Sequence, residues 1–191
     1  MRNIFLISLL VISMANAQTK SINKQYYQVE YSEDLQSPVY VEYEVLCPRK
    51  GPVSRKGLGF KPEPGYKTAD NDDYYKNVWD KGHMAPAAAF DCNMEMLKST
   101  FSYVNSALQH QSLNRGQWKD LEAYERRLAT YGKVFVEIEI LFDNPPNRVP
   151  AGAAIPKGFI KRINSESHGT LNYYFDNKHM TDRDVRNYLI N

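Results

Sequence analysis

A run of motifs between Asp80 and Glu122 limits the structures open to this chain more than any other segment. It sets the order and spacing of a histidine, two asparagines and a glutamate. The run reads D-K-G-H-M-A-P over residues 80–86, T-F-x-x-x-N over residues 100–105, and L-N-x-G-x-W-x-x-L-E over residues 113–122. Aromatic and aliphatic anchors separate the polar positions. The polar residues are those that metal-assisted attack of water on a phosphodiester requires.

His83 is the candidate general base. Gly82 permits a close backbone approach just before it, and Pro86 fixes the turn just after it. A neutral imidazole held where a strand bends into a loop can take a proton from water near pH 7. Residue type alone is also compatible with an ordinary surface or core histidine, since the chain contains four histidines. The flanking residues favour the catalytic interpretation.

Asn114 and Glu122 are the candidate residues around a metal ion. They are eight positions apart, about two helical turns, so they can face the same side of a helix. Mg²⁺ prefers oxygen ligands and keeps several waters, which fits Asn114 as a direct ligand and Glu122 as the partner of a bound water. Spacing alone also allows a helix-capping asparagine and a solvated glutamate.

The three motifs resemble the signature of the DNA/RNA non-specific endonuclease family, the ββα-metal or His-Me finger nucleases. That signature is D-R-G-H-x-A-P, then an asparagine motif, then N-x-x-x-W-x-x-L-E. The resemblance implies an α+β fold whose central antiparallel sheet carries a ββα-metal active-site motif. It also implies Mg²⁺-dependent hydrolysis of DNA and RNA without sugar specificity, with other divalent cations such as Mn²⁺ left open.

The resemblance assigns a role to each matching position. His83 is the general base, and Asn114 is the only protein group that binds the metal directly. Glu122 acts beside the metal without binding it, and Asn105 supports the catalytic site. These roles are expectations carried over from the family pattern.

Lys81 and Arg55 are the candidate phosphate-binding residues. The family motif has arginine at the position of Lys81, and Arg55 is the best match to an upstream loop arginine that contacts phosphate. Lysine offers a point charge where arginine can make two parallel hydrogen bonds, so we expect an altered grip on phosphate. Two further departures are the sequence I-E-I at residues 138–140, where the family often has T-G-P, and the missing proline between Asn105 and Gln109.

Length and charge are compatible with one catalytic domain. The chain has 191 residues, and we expect a signal peptide at residues 1–17 and a single nuclease domain at residues 18–191. The net charge is only +2, so attraction to nucleic acid must come from a local basic patch.

The N-terminal segment has the pattern of a secretory signal peptide. A positive start precedes a short apolar run and the A-x-A sequence that ends at Ala17. We therefore expect a secreted or periplasmic protein, cleaved near Ala17, with no membrane contact in the mature form.

Cys47 and Cys92 are the two cysteines, and both a disulfide and a pair of buried free thiols stay open.

The hydrophobic pattern predicts mostly strands with one strong helix. We expect strands or extended segments at residues 39–46, 100–107, 134–142, 151–163 and 171–175. We expect helices at residues 116–131 and at the C-terminus, the latter capped by Thr181. We expect an extended lead-in at residues 18–37. Residues 49–79 should be a long loop whose basic residues either face phosphate or are simply solvated.

Two other functions compete with nuclease activity as interpretations of this sequence. One is a catalytically weakened protein of the same fold that binds extracellular nucleic acid or another polyanion, which Lys81 and Glu139 favour. The other is a metalloprotease, which the sequence argues against because it contains no H-E-x-x-H motif. The expected partner is the DNA and RNA backbone, whereas an inhibitor protein or a homodimer has no support in the sequence.

Overall fold

A computed structural model describes residues 18–190 of the chain. Its main element is a seven-stranded antiparallel sheet in the order β1-β2-β3-β6-β7-β8-β9. The strands are β1 (Thr19–Lys24), β2 (Tyr27–Ser32), β3 (Ser37–Glu44), β6 (Val134–Leu141), β7 (Gly158–Ser165), β8 (Gly169–Asp176) and β9 (Leu189–Ile190). The expected signal peptide lies outside the described residues.

A separate hairpin and a kinked helix are inserted between β3 and β6. The hairpin consists of β4 (Trp79–His83) and β5 (Ser106–His110). Helix α1 (Met94–Ser99) lies within the hairpin connection, and a helical segment follows β5 directly. That segment comprises α2 (Gln111–Leu113), a π-helical turn (Asn114–Trp118) and α3 (Lys119–Leu128). This is the α+β architecture with a ββα unit that the sequence predicts.

The helical segment begins earlier than the sequence indicates. The sequence predicts a helix at residues 116–131, but the helical turns begin at Gln111 and are interrupted at Gly116, whose φ of −110° and ψ of −111° are not helical. A Cβ at Gly116 would lie 2.9 Å from Arg183 Nη1, so the kink allows the C-terminal segment to pack closely. The interruption separates the turn that carries Asn114 from the helix that carries Glu122.

Two predictions about the chain ends are wrong. Residues 18–37 are not a simple lead-in, because their alternating buried residues Ile22, Val29 and Tyr31 form two strands of the main sheet. The predicted C-terminal helix is a short 3₁₀ turn (Val185–Tyr188), capped by Asp184, whose side chain accepts a hydrogen bond from the Arg186 backbone amide. The chain then pairs as β9 with the edge of β8.

The helix packs on the sheet through apolar residues spaced along one face. Trp118 and Leu121 are completely buried, and Leu128 is nearly so. Trp118 contacts Phe159 and Phe175 from the sheet, with ring centroids 5.3 and 5.9 Å apart. This packing leaves the adjacent flank of α3, which carries Lys119, Glu122 and Arg126, to line a cavity beside the hairpin.

A disulfide joins Cys47 and Cys92, which settles the question that the sequence left open. It ties the chain after β3 to the connection between β4 and β5, 45 positions later. Within residues 18–190, the helices do not reach the length and apolarity that crossing a membrane requires.

Candidate active site

His83 is the last residue of β4 and lies against two phenylalanine rings. The ring centroids of Phe60 and Phe101 are 4.6 and 4.9 Å from that of His83. Ring nitrogen Nε2 is buried without a hydrogen-bond partner among the described residues. Burial, followed by the nearby charge of Arg55, lowers the pKa of His83 to about 3. The imidazole is therefore neutral at physiological pH, which leaves a ring-nitrogen lone pair free to accept a hydrogen bond from water.

Asn105 holds the chain in place just after His83. Its Oδ1 accepts a hydrogen bond from the Ala85 amide at 2.8 Å, and its Nδ2 donates to the carbonyls of Ala85 and Thr100 at 2.9 Å. The residue is fully buried. Because these backbone contacts occupy both ends of the amide, Asn105 fixes the turn that follows His83 and does not itself line the cavity. The sequence placed it among the catalytic residues.

Gly82 allows the two hairpin strands to approach closely. A Cβ at this position would lie 2.5 Å from Gln109 Oε1 and 2.6 Å from Gln109 Cβ. Both polar atoms of the Gln109 side chain are buried without a partner among the described residues. The expected role of Gly82, close packing beside His83, agrees with this geometry.

Asn114 is oriented by Asp80. Its Nδ2 donates to Asp80 Oδ2 at 2.9 Å, and Arg115 donates to both oxygens of the same carboxylate at 2.8 and 2.6 Å. Burial would raise the pKa of Asp80, but these hydrogen bonds from Arg115 and Asn114 outweigh it and lower the pKa. Since a carboxylate only accepts hydrogen bonds, the amide orientation is defined and Asn114 Oδ1 points away from Asp80.

Glu122 lines a cavity of about 570 Å³ together with basic residues. Lys50 and Arg55 come from the loop after β3, and Lys119 and Arg126 come from α3. Burial raises the pKa of Glu122 to about 7, although Lys161 and Arg126 act to lower it. The cavity therefore combines a poised carboxyl group with a basic rim suited to phosphate.

Lys81 lies on the same face of β4 as His83 but does not line this cavity. Its ammonium donates to Asn71 Oδ1 at 2.5 Å and lies 5.4 and 5.5 Å from the ring centroids of Tyr74 and Tyr103. Burial lowers the pKa of Lys81. The side chain is thus held by a polar and aromatic cluster, about 7 Å along the strand from His83.

The structure brings some of the predicted residues together and separates others. Arg55 and Glu122 share the cavity, and the charge of Arg55 reaches His83. Asn114 belongs to the cluster around Asp80, which lies on β4 three positions before His83. Sequence reasoning missed Arg126, although its spacing of four positions from Glu122 places both on one side of α3.

The residues present fit a hydrated divalent cation held by few protein groups. Residues 18–190 contain no cluster of three or more His, Cys, Asp or Glu side chains arranged to hold a metal. Asn114 Oδ1, in contrast, makes no hydrogen bond to the described part of the chain and is fixed in direction by Asp80. One neutral oxygen ligand supplemented by water is a coordination that Mg²⁺ accepts.

Comparison with known proteins gives a consistent family. The model of the family described as DNA/RNA non-specific endonuclease matches residues 10–191. Human mitochondrial Endonuclease G is 28% identical over 83% of this chain and 53% of its own length. The Bos taurus protein is 32% identical over 83% of this chain and 52% of its own length. Danio rerio mitochondrial Nuclease EXOG is 34% identical over 52% of this chain and 30% of its own length.

A solved structure shows the same fold. The crystal structure of the EndoG/EndoGI complex, described as showing the mechanism of EndoG inhibition, superposes with a TM-score of 0.75 at 25% sequence identity. The match covers 90% of this chain and 80% of that one. The curated relatives are longer, and this chain spans about half or less of their length.

The relatives correct the predicted location. The fish, human and bovine relatives and a Schizosaccharomyces pombe nuclease at 29% identity are all named mitochondrial. This contradicts the expectation of a secreted or periplasmic protein and leaves the signal-peptide interpretation of residues 1–17 without support. Mitochondrial leaders also carry positive charge, so the positive start of the segment does not separate the two destinations.

Proposed function

Because this chain belongs to the family of DNA/RNA non-specific endonucleases, we propose that it hydrolyses phosphodiester bonds in DNA and RNA with the help of Mg²⁺. The observation that carries the proposal is His83: a neutral imidazole beside Arg55, next to a basic cavity lined by Glu122. The choice of Mg²⁺ is supported by Asn114, which presents one oriented amide oxygen.

His83 is the proton acceptor in the proposed reaction. Of its two ring nitrogens, Nε2 is enclosed by protein, so Nδ1 is the one available to water. As Nδ1 takes the proton, the water oxygen bonds to phosphorus and the bond from phosphorus to the 3′ oxygen breaks, leaving a 5′ phosphate. A bound divalent cation would stabilise the negative charge that develops on the phosphate and on the leaving oxygen.

Basic residues around the cavity are the proposed phosphate contacts. Arg55, Arg126, Lys50 and Lys119 can neutralise the oxygens of the scissile and adjacent phosphates. Lys81 extends the positive surface along β4. Contacts of this kind recognise the backbone and carry no base information, which fits cleavage without sequence specificity.

Degradation assays test the proposal directly. The purified chain should degrade supercoiled plasmid and a long RNA with Mg²⁺, and chelator should abolish both activities. His83→Ala should lower the rate at least about 100-fold, a typical general-base effect, whereas His168→Ala, at an exposed position, should not. If the parent chain binds plasmid but does not cleave it, the result would support the polyanion-binding alternative instead.

A further inference from the structure

A buried lysine lies beneath the helix that carries Glu122. Lys161, in the middle of β7, has a side chain with 0% exposure, and its Nζ is 2.7 Å from Glu125 Oε1. The Glu125 side chain is only 1% exposed. A lysine ammonium is almost never fully buried unless it is paired, so the burial of Lys161 depends on its ion pair with Glu125.

The same ammonium also contacts the helix on the other side of Glu122. Lys161 Nζ lies 4.0 Å from the centroid of the Trp118 ring, which is a close cation–π contact. Trp118, Glu122 and Glu125 follow one another at spacings of four and three positions, so they share one face of the helical segment. Lys161 therefore holds the turns immediately before and after Glu122.

Tyr43 completes the partners of Glu125. Its hydroxyl donates to Glu125 Oε2 at 2.7 Å, so each carboxylate oxygen has a partner, one from β3 and one from β7. Burying such a pair costs desolvation energy that the mutual attraction does not always return, and apolar substitutes are often as stable. Stability alone is therefore a weak reason for placing a lysine at this point.

Glu122 lies within range of several charges. Besides burial, the charges that act on its pKa are Lys161, Glu125 and Arg126, with Lys161 the strongest of the three, and the indole N–H of Trp118 also lowers it. The remaining charged residues around the cavity are Lys50, Arg55, Asp91 and Lys119. Lys161 thus provides buried positive charge on the core side of Glu122, opposite the solvent-exposed basic rim.

We propose that Lys161 is a positioning residue for the nuclease site: its contacts with Trp118 and Glu125 hold the helical turns on both sides of Glu122, so that the Glu122 carboxylate faces the cavity. The effect of Lys161 on catalysis rests on the proposed function. Its structural part, the control of Glu122 by Lys161, can be measured without substrate or metal.

The test measures the ionisation of Glu122 in the metal-free protein. Carboxyl ¹³C resonances of glutamate are followed by NMR as pH changes, with the Glu122 signal identified by its loss in Glu122→Gln. Lys161→Met should raise the pKa of Glu122 by about one unit, because a nearby opposite charge is removed. Glu125→Gln should lower the pKa, because it removes a like charge and frees the ammonium.

A double variant covers the case in which a single buried charge prevents folding. Lys161→Met combined with Glu125→Gln removes both charges and keeps similar side-chain volumes. The pKa of Glu122 should still rise, since Lys161 acts on it more strongly than Glu125 does. Lys133→Met, at an exposed lysine, serves as the control and should leave the Glu122 signal unchanged.

Kinetics then separate the inference from the proposed function. If the parent chain cleaves plasmid, the acidic limb of its rate profile should move up in Lys161→Met and down in Glu125→Gln, with kcat affected more than KM. Shifts in one common direction, or none in any folded variant, would overturn the positioning role while leaving nuclease activity in place. Absence of cleavage by the parent would reject the proposed function without affecting the NMR result.

Discussion

The Asp80 carboxylate and the Asn114 amide are 2.9 Å apart, and the direction of this hydrogen bond leaves the Asn114 oxygen as a fixed acceptor. The two residues are 34 positions apart in the sequence, and Arg115 closes the other side of the carboxylate. The aspartate of the D-K-G-H motif is therefore a structural partner of the candidate metal ligand, and no oxygen of Asp80 is free of these contacts.

Substitution of Asp80 should weaken metal binding without removing the ligand. Asp80→Asn should lower the affinity for Mg²⁺ or Mn²⁺ by about 10- to 100-fold, the usual effect of losing a group that orients a ligand. Asn114→Ala should lower it further, and Glu122→Gln, which retains the side-chain shape, should lower it less. Calorimetric titration measures all three, with exposed Asn23→Ala as the control. Parent-like titration by Asn114→Ala would mean that another residue holds the ion.

The depressed pKa of His83 should be visible in the pH dependence of stability. The folded value of about 3 lies below the ordinary 6.5, so between these values the unfolded chain binds a proton that the folded chain does not. The contribution of His83 to the free energy of unfolding is therefore fully present above pH 6.5 and is lost as the pH falls toward 3. His83→Phe should flatten urea-derived stability over this window, whereas exposed His168→Ala should not. A parent-like slope in His83→Phe would place the titration elsewhere.

Local chemistry explains what could be predicted from the sequence. The placement of His83 between Gly82 and Pro86 depends on backbone preferences of adjacent residues, and the structure has a strand ending there. The strand expected at residues 134–142 follows from period-two alternation, and the structure has β6 there, whereas the strand expected at residues 151–163 begins only at Gly158. In each case the signal and the structure lie within a few residues of one another.

Long-range pairing explains what could not be predicted. The polar residues 18–37 become strands only because β3 provides a pairing partner. Asn105 hydrogen-bonds to the backbone of Ala85 only after the hairpin has closed. The pairing of Lys161 with Glu125 joins residues 36 positions apart. No local pattern distinguishes such a lysine from a solvated one on a strand.

The disulfide should stabilise the fold chiefly by restricting the unfolded chain. Cys47 and Cys92 enclose a loop of 45 positions, for which chain entropy predicts about 4 kcal/mol. Replacing both cysteines with serine should lower the free energy of unfolding by about that amount, as measured by denaturant titration. Gly51 stays bound to Asp91 through a hydrogen bond of 2.8 Å, so the loop that carries Arg55 should keep its position. An unchanged free energy would mean that the unfolded chain gains no freedom.

Lys81 offers a test of how far the phosphate-binding surface extends. Its ammonium is held by Asn71 above Tyr74 and Tyr103, on the same face of β4 as His83. If it contacts phosphate, Lys81→Ala should lower the cleavage rate and reduce the log–log salt slope by about one unit, since one phosphate contact is lost. Lys81→Arg should keep or raise the rate, because arginine can bind phosphate with two hydrogen bonds. Lys178→Ala, at a side chain that is 69% exposed, is the matched control. Should Lys81→Ala retain the parent rate and salt slope, the lysine only supports the Asn71 loop, and the charge facing phosphate comes from Arg55 and the rest of the cavity rim.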